Sequence, residues 1–176
     1  IDEGTSTVIF YTGASVLTGS MNFYNLTFAA STVYTIATDT KLIVNGMLGL
    51  TAGTINAATA NRGTIEARGD VIIARTMTRI GNATLLFGGG SDQLVTCPSG
   101  ATATVNLLNY VVIDKDDNAN KVSFTGNAIF HNVNLNKGSL VLMGGSTFAF
   151  HYVDTVVTSA NTTLNFSGSS GSMVTL

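Results

Sequence analysis

A short string recurs three times along this chain. Thr7-Val8-Ile9-Phe10 is followed by Gly13 and then Val16-Leu17-Thr18. Asn82-Ala83-Thr84-Leu85-Leu86-Phe87 is followed by Gly90 and then Leu94-Val95-Thr96. Asn161-Thr162-Thr163-Leu164-Asn165-Phe166 is followed by Gly168, Gly171 and Met173-Val174-Thr175. Thr7, Thr84 and Thr163 mark the three copies at nearly even intervals. Near-constant spacing of a strand–turn–strand unit is the mark of an array rather than a single irregular fold.

The segments between follow the same rule. Phe23–Phe28, Thr32–Ile36, Lys41–Val44, Thr64–Arg68 and Val71–Ala74 are strand-like runs divided by Gly, Asn, Asp or Ser. In Thr64–Arg68 the alternation places Ile65 and Ala67 inward, and Glu66 and Arg68 outward. Residues 56–62 read as a loop. A second set of runs tracks the first with a slowly drifting offset, and the stretch from Cys97 to Val105 is the largest insertion. The chain therefore divides into repeats near 5–81 and 82–160, with the start of a third at 161–176, all within one segment, 1–176.

Charged residues make up only 10% of the chain, and there is a single proline, Pro98. Runs of four to six residues are too short for a transmembrane barrel, whose strands need about ten. They suit an all-β parallel β-helix, or β-solenoid, right-handed because parallel crossovers are. Coils of about 20 residues would give roughly eight or nine in all, stacked about 4.8 Å apart. The alternative fold is an antiparallel β-sandwich, which also has short strands and frequent turns.

The function classes thin out quickly. A net charge of −2 leaves no electrostatic footprint for nucleic acid. Arg62, Arg68, Arg75 and Arg79 interleave with Glu66 and Asp70 and read as a solvated face. No apolar run reaches membrane-span length. Cys97 is the only cysteine and reads as a structural thiol. The opening Ile1-Asp2-Glu3-Gly4 has no signal-peptide pattern, and the chain stops within its third signature at Leu176. Both suggest a piece of a longer parent, or copies that stack end to end.

The sites weighed are few. Asp114, Asp116 and Asn118 open with the spacing of a calcium loop, but Ala119 and Thr125 stand where glycine and glutamate belong. The expectation is a solvated turn over 114–118. His131 and His151 lack a third ligand. Asp92, Asp114, Asp116, Asp117 and Asp154 are the acids a glycan-cleaving enzyme would need, but nothing in the spacing pairs them. Tyr11, Tyr24, Tyr34, Tyr110 and Tyr152 could stack on sugars. Thr-x-Thr pairs such as Thr76/Thr78 are too unevenly spaced for an ice-binding array, and the sequons at Asn25, Asn82 and Asn161 are common by chance. No catalytic, cofactor or metal residue is assigned.

Taken together, Asn82–Thr96, Phe23–Phe28 and Leu42–Ile55 resemble the repeat region of large bacterial and archaeal surface proteins, which are secreted, adhesin-like and β-helical. The resemblance implies an exported stalk or adhesive filament, outside the cell. It carries over no functional residue. The expected role is a structural and adhesive module acting by stacking and self-association; alternatives are a carbohydrate-binding or phage tail-fibre module and, last, a polysaccharide lyase or hydrolase.

Overall fold

The computed structural model describes residues 4–12, 15–56, 62–99, 107–150 and 156–167. They form stacked coils. The first coil carries β1 (Thr7–Phe10), β2 (Ser15–Leu17) and β3 (Met21–Phe23). The second carries β4 (Asn25–Phe28), β5 (Val33–Ile36) and β6 (Lys41–Val44). The third carries β7 (Leu48–Leu50), β8 (Gly53–Ile55) and β9 (Thr64–Ala67). In the next three coils the last two strands merge. These coils are β10 (Val71–Ile73) with β11 (Met77–Phe87), β12 (Gln93–Thr96) with β13 (Leu107–Asp114), and β14 (Lys121–Thr125) with β15 (Ala128–Lys137). The last passes are β16 (Ser139–Met143), β17 (Phe148–Phe150), β18 (Val156–Thr158) and β19 (Thr163–Ser167).

Every coil contributes one strand to an eight-stranded sheet in the order β1-β4-β7-β10-β12-β14-β16-β19. The remaining strands make an eleven-stranded sheet that covers the other two faces. Pairing is parallel in both sheets, as in β1 with β4 and β11 with β13. That arrangement is a β-solenoid and rules out the antiparallel sandwich. A register shift between Ile80 and Thr84 bends β11 from one face of the second sheet to the next.

Coil length varies more than the sequence suggests. Thr7 pairs with Asn25 across a short coil, whereas Val95 pairs with Phe124 across a much longer one. Turns absorb the difference. Signature residues Thr7 and Thr163 lie on the eight-stranded sheet, and Thr84 on the eleven-stranded one. The long spacing is thus not a whole number of coils.

The interior is a set of ladders, because parallel in-register coils place like positions over one another. One ladder runs the full stack: Val8, Leu26, Leu48, Val71, Val95, Phe124, Leu142, Phe166. Its six inner rungs are fully buried, but Val8 is 38% exposed and Phe166 45%. Corners are tight. Gly126 sits at φ 82°, and a Cβ there would run into the Cys97 carbonyl. Asn56 turns inward at φ 47°, accepting from Ile36 N (2.6 Å) and donating to Ile36 O (3.0 Å). Cys97 is buried as expected, and burial pushes its thiol up to about 12.

Ile65 and Ala67 point inward as the alternation requires. Glu66 points outward, yet it is only 5% exposed. Lys41 of the coil below and Arg68 Nε (2.6 Å) close over its carboxylate. Burial alone would raise its pKa; the hydrogen bonds and charges of Lys41 and Arg68 outweigh this and hold it below the usual glutamate value. Glu66→Gln should therefore lose about 1–2 kcal/mol at neutral pH, allowing for the half-exposed partners. With a folded pKa below the unfolded one, Glu66's contribution is complete above the unfolded value and fades as pH falls through the folded one. Denaturant melts of both proteins at pH 7 and near pH 3 should show the gap close in acid; an equal gap at both values would refute the charge argument.

Candidate functional site

Chemistry-bearing side chains gather along one edge of the stack. This edge is where each coil leaves the eleven-stranded sheet and enters the eight-stranded one. Its turns, one above another, hold Tyr24, Asn45, Arg68–Asp70, Gly88–Asp92, Asp114–Asn120 and Lys137–Gly138. Arg68, Asp70, Asp92, Asp114, Lys115, Asp116, Asp117, Lys121 and Lys137 all lie on or beside it, half of the charged residues in the chain. These residues come from separate stretches of sequence, and only coil stacking brings them together.

Many of the acids and amides there hold the coils to each other. Asn25 Oδ1 accepts the Met47 N–H (2.7 Å), and Asp70 Oδ1 the Leu94 N–H (2.8 Å). Asp92 Oδ1 accepts the Lys121 N–H (3.0 Å), and Asn118 Oδ1 the Gly138 N–H (3.3 Å). In each case the side chain reaches the next coil at a corner where the backbone ladder is interrupted. The Lys121 N–H, then the Lys121 ammonium at 3.5 Å, hold Asp92 below the usual aspartate value. It stays ionised at neutral pH, which suits ion pairing rather than proton donation.

The turn 114–118 departs from the solvated reading at one residue. Lys115 is only 2% exposed. Its Nζ donates to Gly88 O (2.5 Å) and to Gln93 Oε1 (2.6 Å). Gln93 in turn donates to Ala67 O (3.0 Å) and Gly69 O (2.6 Å), so one lysine ties three coils. Loss of hydration lowers the Lys115 pKa, against the opposing pull of Asp116 and Asp92. Around it Asp114, Asp116, Asp117 and Asn118 stay exposed. Asp117 Oδ1 caps Ala119 N (2.8 Å), and Lys137 Nζ donates to the Asp116 carbonyl. Among the described residues no three His, Cys, Asp or Glu side chains gather as metal ligands.

The other sequence candidates disperse. His131 is half-buried on β15, while His151, Tyr152 and Asp154 lie outside the described residues. Tyr34 cannot meet a sugar: it is fully buried, with its hydroxyl donating to Phe10 O and accepting from Ala30 N, both at 2.9 Å. Tyr110 is engaged by Arg62, whose guanidinium carbon lies 4.7 Å from the ring centroid. Arg75 donates to Ser99 O (2.6 Å). Arg62, Arg68 and Arg75 therefore spread over different places rather than forming one patch. Tyr11 and Tyr24 remain available, 73% and 37% exposed.

Two surfaces result. Beside the charged edge is a shallow groove of about 480 Å³, bordered by Tyr24, Asn45, Arg68, Asp70, Ser91 and Asp92. Next to it the outer face of the eight-stranded sheet is almost free of charge. One row reads Ile9, Thr27, Gly49, Ile72, Thr96, Thr125, and another Leu94, Ser123, Val141, Asn165. Lys121 is the one charged residue with an outward position on its described strands. Among the described residues no helix is long and apolar enough to cross a membrane. A scan of protein-family models, a search of curated proteins and a search of solved structures each returned no match.

Proposed function

We propose that this chain is a structural and adhesive module of an extracellular surface protein or filament, working by coil-on-coil stacking and self-association. The observation that carries this reading is the ladder from Val8 to Phe166, dry through its middle and exposed at both outer rungs. Charge distribution supports it. No charged residue occurs between positions 4 and 38 or between 155 and 176. Exposed sheet edges are usually guarded by lysines or other charges. Here β1 and β19 are the outer strands of their sheet among the described residues, with Val8, Ile9 and Phe166 exposed on them. A head-to-tail contact between unlike surfaces does not close on itself and extends into a fibre.

Electron microscopy with a mass determination tests this. Filaments with an axial repeat of roughly 34–40 Å, seven or eight strand spacings, are expected at high protein concentration. Val8→Lys should shift the material toward monomer by placing a charge on the β1 edge. Monodisperse 18.2 kDa particles at every concentration would defeat the self-association part of the proposal.

A further inference from the structure

We propose that the groove along the charged edge is a binding site for a short neutral oligosaccharide, a proposal that rests on the adhesive reading above and names its ligand. The groove has a volume of about 480 Å³, within the range of small-ligand sites. Its length follows the stack, because Tyr24, Asn45, Arg68 with Asp70, and Ser91 with Asp92 come from successive turns. Three coil spacings make it about 14 Å long, a fit for two or three sugar rings.

The lining suits a hydroxyl-rich ligand with an apolar ring face. Tyr24 presents an exposed aromatic surface with a polar tip at one end. Arg68 is held before any ligand arrives: Nε is bound to the buried Glu66 carboxylate at 2.6 Å and Nη1 reaches Asn45 Oδ1 at 3.4 Å. A fork fixed in advance loses little freedom on binding. Asp70 is tied through Oδ1 to Leu94 N, and it makes no ion pair among the described residues, which leaves its second oxygen to accept from a hydroxyl. Arg68 and Lys41 are paired with Glu66 and Lys121 with Asp92, which leaves Asp70 as the carboxylate of the lining without a counter-ion among the described residues, so a uronate or sulfated chain meets an unbalanced negative charge there. A peptide has little to grip, since Met47 is the only aliphatic side chain in the lining.

The test is a panel of neutral, amino and uronate oligosaccharides on an array, with calorimetry on the hits. Saturable binding of neutral members is expected. Tyr24→Ala and Asp70→Asn should each weaken it at least tenfold; the asparagine keeps Oδ1 for Leu94 N, so the corner stays intact. Tyr24→Phe keeps the ring and should retain most of the affinity. Tyr11→Ala, a change at the other exposed tyrosine outside the groove, should have no effect. Absence of neutral-glycan binding overturns the proposal, as does binding that Tyr24→Ala and Asp70→Asn leave unchanged. Filament formation is scored on the same samples. Filaments without glycan binding sink the groove and leave the stacking module standing; glycan binding by monomers does the reverse.

Discussion

Phe124→Ala should destabilise the protein by about 3–5 kcal/mol, the usual range for an aromatic truncated in a core. Phe124 is a buried inner rung, paired with Val95 below and Leu142 above. Its ring meets Phe87 edge-on at 5.7 Å and Phe130 at 5.1 Å. It therefore joins the two sheets as well as neighbouring coils. A stack whose coils touch only their neighbours has stability close to a sum of coil and interface terms. A cavity at mid-stack weakens the interfaces on both of its sides. The urea transition of the variant should broaden as the two ends of the stack begin to melt apart. Phe166→Ala is the comparison: the same truncation on an exposed outer rung should cost less than about 1 kcal/mol. Similar losses at the two positions, read from urea melts, would mean that the ladder is not the source of stability.

Lys115→Met should cost about 2–4 kcal/mol at pH 7, even though it removes a buried cation, because each buried acceptor left without a partner costs about 1–3 kcal/mol. Two acceptors lose their donor: Gly88 O and Gln93 Oε1. Relief of the lysine's lost hydration offsets part of this. That opposing term can be separated by pH. Burial sets the folded pKa of Lys115 below its unfolded value. Between the two, the unfolded chain binds more protons, so stability rises as pH climbs. A neutral amine still has two hydrogens for the same two acceptors, so nothing is lost in the folded state. The wild type should gain on the variant as pH rises through the folded pKa toward about 10.4, the unfolded lysine value. A gap between the proteins that stays constant from neutral pH up to that value would show that Lys115 is hydrated after all.

The unequal legibility of these features in the sequence has a physical pattern. Ile65 and Ala67 could be placed inward because side-chain alternation is a property of one strand. The turns at Asn45-Gly46 and Gly69-Asp70 could be read because glycine and short polar side chains have local signatures, although neither turn uses a positive φ. Glu66 was legible in direction and illegible in burial, since Lys41 reaches it from a different coil. Lys115 sits among four exposed polar neighbours and looks solvated by every local measure, but Gly88 and Gln93 enclose it from the preceding corner. Tyr34 looked available for stacking until β1 supplied the Phe10 carbonyl to its hydroxyl.

The groove was the least legible feature of all. Tyr24, Asn45, Arg68 and Ser91 follow one another at 21, 23 and 23 residues, close to one coil, but no residue type repeats along that series, so nothing in that spacing singles it out. A signal did exist, in the near confinement of charge to the middle of the chain, but its gathering on one edge depends on where each coil turns.

Strand composition, frequent turn residues and low charge, all local, were enough to determine short strands with an apolar interior and to favour a stack of coils, while the antiparallel sandwich fell only to the parallel pairing of the structure. Tertiary structure alone decided which residues are neighbours between coils. The stretch of chain between partners is short at Thr7 and Asn25 and far longer at Val95 and Phe124, because each corner resets the offset by the length of its turn. A residue added to a turn changes the sequence interval between partners across it, while strand pairing keeps the inward and outward pattern of each strand as it was.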